Sequence, residues 1–146
     1  MRALWIRSGL VLCSVLACAQ SSTACDTSTA ACAIQTASLD QDVTLTVGTA
    51  VEFGPSRVRV RFDSVLQDSR CPTDVQCVWA GNAAVRVRVQ ISADVEQTID
   101  LNTNVGPKEA RFDGHLLRLV SLGPDPVSTT RIEPAAYRLT VRVERP

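Results

Sequence analysis

Two cysteines with five residues between them, an arginine beside the first and a tryptophan just past the second make residues 68–83 the most chemically loaded stretch of this chain. It reads Asp68-Ser69-Arg70-Cys71-Pro72-Thr73-Asp74-Val75-Gln76-Cys77-Val78-Trp79-Ala80-Gly81-Asn82-Ala83. A Cys71–Cys77 disulfide would staple a compact loop, Pro72 would stiffen its start, and Gly81-Asn82 would re-aim the chain into the next element. Such a loop loses little entropy on binding, and arginine and tryptophan are the side chains that most often anchor an interface. Asp68, Arg70, Asp74, Gln76 and Trp79 are therefore the candidate binding residues, with Trp79 expected to pack on the sulfurs or cap the domain. A plain structural staple between two strands is the simpler reading of the same residues.

Nucleophilic or acid–base catalysis finds little support in the chain. His115 is the single histidine and follows Asp113-Gly114 at an expected hairpin turn, where a solvated surface position is the expectation. No pair of carboxylates has a spacing that marks acid–base work, and no glycine-rich phosphate loop opens a helix. Cys-x5-Cys is not a zinc spacing, so no metal and no cofactor is expected, and the reading is of a non-enzyme.

The string Asp-Ser-Arg-Cys-Pro, four residues, Cys-x-Trp-x-Gly-Asn-Ala over Asp68–Ala83 resembles a signature of small uncharacterised bacterial secreted proteins and lipoproteins. The resemblance implies an exported, β-rich domain and brings no catalytic residue with it.

The N-terminus agrees on export. Arg2 and Arg7 precede the uncharged, mostly apolar run 8–17, which is too short to span a bilayer. Val15-Leu16-Ala17-Cys18 fits a lipobox that would place a lipid on Cys18. Ala17-Cys18-Ala19 also fits an ordinary signal-peptidase site, and the lipobox is the favoured of the two. Ala19 lacks the aspartate associated with inner-membrane retention, so a lipidated chain is expected at the outer rather than the inner membrane, with a periplasmic protein the alternative. In that oxidising setting Cys25, Cys32, Cys71 and Cys77 remain, and proximity favours the pairs Cys25–Cys32 and Cys71–Cys77 among three possible connectivities.

Charge is balanced at fifteen basic against fifteen acidic residues, and loss of Arg2 and Arg7 would leave thirteen against fifteen. A near-neutral chain argues against nucleic acid as partner. Expected partners are an envelope or extracellular protein and, through the lipid, the membrane. The outward arginines Arg57, Arg59, Arg61, Arg86, Arg88, Arg138 and Arg142 could meet anionic lipid or polysaccharide. Cross-pairing with acids such as Glu96, Asp100 and Glu144 is the expectation instead.

The loop must be held by the elements around it. Residues 1–18 are the signal with its lipobox, and 19–38 a Ser/Thr/Ala-rich tether too polar to bury a core. From residue 39 one domain runs to 146. Alternation of period two recurs at 43–47, 50–53, 57–62, 85–91, 95–101, 109–113, 115–122 and 137–144. A hairpin turning at 92–94 sets Arg86 opposite Asp100 and Gln90 opposite Glu96 outside, with Val85 opposite Leu101 and Val87 opposite Ile99 inside. About seven or eight short strands and no helix give an antiparallel β-sandwich, immunoglobulin-like, with a small β-barrel as the alternative.

Overall fold

The computed structural model describes residues 34–145. The alternating segments are strands: β1 (Gln35–Ser38), β2 (Asp42–Thr46), β3 (Ala50–Gly54), β4 (Val58–Asp68), β5 (Ala83–Ser92), β6 (Val95–Asn102), β7 (Glu109–Phe112), β8 (His115–Gly123) and β9 (Arg138–Glu144). One sheet has the order β1-β3-β4-β5-β6 and the other β2-β9-β8-β7. The two sheets share no strand, so the fold is an open β-sandwich, and the barrel alternative is excluded.

Inward parity builds the core. Val58, Val60 and Phe62 of β4 and Val85, Val87 and Val89 of β5 are fully buried and meet Leu117, Leu139, Val141 and Val143 from the other sheet. Each such side chain contributes about 1.5–3 kcal/mol by leaving water, which is why strict alternation specifies the register. The β5–β6 hairpin has the expected pairs Val85–Leu101, Arg86–Asp100, Val87–Ile99 and Gln90–Glu96.

The outer faces pair most of their arginines with acids, Arg61 opposite Arg88 being without an ion pair among the described residues. A row across the second sheet reads Asp42, Arg142, Arg118, Glu109, with two arginines directly opposed at its centre. Asp42 holds Arg142 at 2.7 Å, while Glu109 and Glu144 each reach Arg118 at 3.3 Å. On the first sheet Arg59 pairs with Glu52, Arg86 with Asp100, and Arg88 with Asp63 and Glu96. The acids flanking the arginines relieve a like-charge repulsion that would otherwise destabilise the ladder.

Three expectations need correction. Residues 35–38 are not tether: β1 runs parallel to β3, with Gln35 level with Val51, and Ala37 packs against the core. A short stretch of small residues is enough to pair with the outer edge of β3, because backbone hydrogen bonds need no apolar side chain. The rest of the tether, the export signal, Cys18, Cys25 and Cys32 lie outside the described residues. β4 runs on to Asp68, six residues beyond the alternating run that marked it. Register shifts after Phe62 and after Val65 insert bulges that break the two-residue period while the pairing with β5 continues. His115, finally, is buried. It stands on the inward parity of β8 with Leu117 and Leu119, stacked on Phe112 at 5.7 Å between ring centres.

The facing of the β5–β6 hairpin is testable by urea unfolding. Ile99→Asp should cost about 2 kcal/mol or more, because an unpaired carboxylate would enter the core margin. Asp100→Arg, on the wet face, should cost only a small fraction of that, and equal effects would overturn the facing.

Candidate functional site: the disulfide-bonded loop

β4 delivers the chain at Asp68, directly opposite Ala83 where β5 begins. The ladder continues briefly into the loop, through Ser69 N–H donating to Asn82 O at 2.7 Å and Cys71 N–H donating to Ala80 O at 3.0 Å. That close approach requires glycine at 81. Its φ is +69°, and a Cβ there would sit 1.8 Å from the carbonyl oxygen of Ser69. Cys71 and Cys77 are joined, their Cα atoms 5.9 Å apart. Between them the Val75 N–H donates to Pro72 O at 3.3 Å, tightening the turn.

Beneath the loop lies a largely buried ion pair. Arg70 donates from Nε to Asp68 Oδ1 at 2.9 Å and from Nη2 to Oδ2 at 2.7 Å, while its own backbone N–H reaches Oδ1 at 3.1 Å. Both side chains are only 10% exposed. The guanidinium also donates to the carbonyls of Leu122 and Pro124, and the Tyr137 hydroxyl donates to Asp68 Oδ2 at 3.1 Å. Burial pushes the Asp68 carboxyl up. The hydrogen bonds and charge of Arg70, with the Tyr137 hydroxyl, outweigh it and hold the carboxyl below its ordinary value. The hydrogen bonds that Arg70 donates to Asp68 raise Arg70 further, and burial beside Asp68 raises the Tyr137 phenol.

Two further side chains fasten the loop to its neighbours. Asp74 accepts from the N–H of Ser128 at 2.8 Å and from the Ser128 hydroxyl, and these bonds lower its carboxyl. The Thr73 N–H donates to Pro126 O at 2.9 Å on the same side. Opposite, Asn82 Oδ1 accepts from the N–H groups of Asn104 at 3.0 Å and Val105 at 3.1 Å. Asn82 Nδ2 donates to Asn102 Oδ1 at 2.8 Å, and Asn104 Nδ2 donates to Gly81 O at the same distance.

The five residues singled out from sequence thus divide. Asp68 and Arg70 turn inward, and Asp74, though exposed, is tied to Ser128, so all three hold the loop. Gln76 is exposed, and Trp79 stands 82% exposed rather than covering the disulfide, with Val78 beside it at 91%. Tyr137, Ser128 and Asn82 were missed, because nothing local marks a side chain that bonds a distant loop. A groove of about 520 Å³ lies against the site, walled by Val65, Leu66, Ile132, Pro126 and Tyr137, with Asp68 at its floor.

His115 sits elsewhere. Its Nδ1 is 2.9 Å from Asp113 O and its Nε2 3.2 Å from Ser56 Oγ, at the end of the sandwich away from the loop. The ring fills an inward position with both nitrogens bonded, and neither the groove beside Tyr137 nor the depression beside Arg70 reaches it. Among the described residues no group of three or more His, Cys, Asp or Glu is placed to hold a metal. Comparison with known proteins finds no matching family model, no matching curated protein and no matching solved structure.

Removing one partner of the buried pair leaves an uncompensated charge, so Arg70→Leu should cost about 3–5 kcal/mol in urea unfolding. Adding Asp68→Leu to it should cost less than the two single changes together; additivity would mean the pair is not coupled.

Because the Asp68 carboxyl is held low in the folded state, its stabilisation is complete above the unfolded carboxylate value of about 3.9 and disappears as pH falls through the depressed folded value. The Tm difference between the wild type and Asp68→Asn should therefore be largest near neutrality and shrink on acidification below about pH 4. A difference that stays constant to the acid limit would contradict the linkage.

Proposed function

We propose that this chain is a non-catalytic binding module of the bacterial cell envelope that presents the 68–83 loop to a protein partner. The observation that carries the reading is Trp79 with Val78, both exposed, on a loop fastened by a disulfide, an ion pair and two sets of hydrogen bonds. Leaving a tryptophan in water forgoes about 2–3 kcal/mol of burial, and a fastened backbone means that energy is recovered on binding without an ordering cost. Trp79 is thus the anchor side chain, while Arg70, turned inward, sets the loop's shape. An inhibitor of an extracytoplasmic hydrolase is the sharper form of the proposal, with the Trp79 tip entering the enzyme's cleft. Lipid attachment at Cys18 and an outer-membrane address complete it, on the evidence of the N-terminal sequence.

The competing idea, an arginine face meeting anionic lipid or polysaccharide, is weakened by the acids already paired with Arg59, Arg86, Arg88, Arg118 and Arg142.

The test is capture from native envelope extract by the tagged mature protein beside a Trp79→Ala twin. Because Trp79 packs on so little, the twin should differ in stability by less than about 0.5 kcal/mol. A partner held by the wild type should be lost by the twin. Retention of that partner by Trp79→Ala would refute the loop-tip reading.

A further inference from the structure

Nine large hydrophobic side chains are exposed among the described residues, and Val75, Val78, Trp79, Val105 and Val127 account for five of them. These five come from three separate loops, 69–82, 103–108 and 124–137, which the strand registers bring to one end of the sandwich. The loops are also bonded into one unit. Asn82 holds the backbone N–H of Val105, Asp74 holds that of Ser128 next to Val127, and Arg70 holds the carbonyl of Pro124. Arg70, Asn104 and Asp125, one from each loop, line a shared depression.

We propose that the three loops form one composite surface for the protein partner, with Trp79 and Val78 entering an uncharged apolar pocket and Val105 and Val127 packing at its margin. This rests on the binding-module reading above. Charge at the rim states the rest of the partner's chemistry. Asp125 is 77% exposed, and the cation nearest it, Arg70 at 3.7 Å, is already committed to Asp68. A partner arginine or lysine facing Asp125 would complete the rim. Asp74 beside Val75 adds a second acid, and the three loops together carry three cations, Arg70, Lys108 and Arg131, against three acids, Asp74, Asp125 and Glu133, so the surface has no cationic excess to draw it to anionic headgroups. The arrangement matches the general use of sandwich-end loops, where rigid aromatic anchors reach out from a fixed scaffold.

The experiment places the photo-crosslinker p-benzoylphenylalanine at position 78, 105, 127 or 95 of the full chain, produced in a bacterial envelope and irradiated there. Position 95 opens β6 at the other end of the sandwich and is also exposed. Positions 78, 105 and 127 should yield adducts with the same protein, and 95 none. Introducing Asp125→Lys should lower the yield at 78 severalfold. A protein adduct from 78 alone would overturn the composite surface while leaving the loop reading standing. Absence of any protein adduct from all three, or adducts with lipid only, would overturn both. The same adduct from 95 would mark the contact as non-specific and overturn the proposal. An unchanged yield with Asp125→Lys would remove the rim charge from it.

Discussion

The guanidinium of Arg70 is where the chain's separate segments become one site. It grips Asp68 at the end of β4, takes the carbonyls of Leu122 and Pro124 as β8 leaves its sheet, and through Asp68 reaches Tyr137 at the start of β9. A hydrophobic cluster could join these elements at similar free energy, since burying two charges costs roughly what their attraction returns. A planar donor with fixed directions adds geometry: only one arrangement of the three segments satisfies all its hydrogen bonds. The disulfide and Gly81 then shape a loop whose base is already set.

That arrangement leaves function on the outside. The charged side chains of the loop are consumed in holding it, and the apolar ones, Val75, Val78 and Trp79, are left in water. The inversion of the usual polar-out rule is concentrated at one end of the sandwich, where five of the nine exposed large apolar side chains among the described residues lie, while most arginines of the sheet faces are paired with acids. A scaffold with largely paired sheet faces and one fastened apolar end is the physical basis of the proposed binding role.

Much of the scaffold was legible in the residues because it depends on parity alone. Val85, Val87 and Val89 against Ile99 and Leu101 specify both the hairpin and its facing, as a one-residue slip would expose them all. His115 was legible by the same rule, sharing parity with Leu117 and Leu119, although its turn-adjacent position suggested a surface residue. The far half of β4 was not legible: bulges after Phe62 and Val65 break the period on one strand while the partner strand continues. Nor was β1, a strand held by backbone hydrogen bonds through residues with little apolar pattern.

By itself the sequence determined that this is a two-faced β protein with a cysteine-stapled loop between two identifiable strands. Alternation and residue spacing are local properties, readable without knowing what lies across space. Only the tertiary structure decided that Arg70 turns inward and Trp79 outward. The carbonyls that turn Arg70 inward, those of Leu122 and Pro124, are more than fifty residues away along the chain, as are Tyr137 from Asp68 and Ser128 from Asp74, and a guanidinium satisfies its donors wherever the fold brings carbonyls and a carboxylate together.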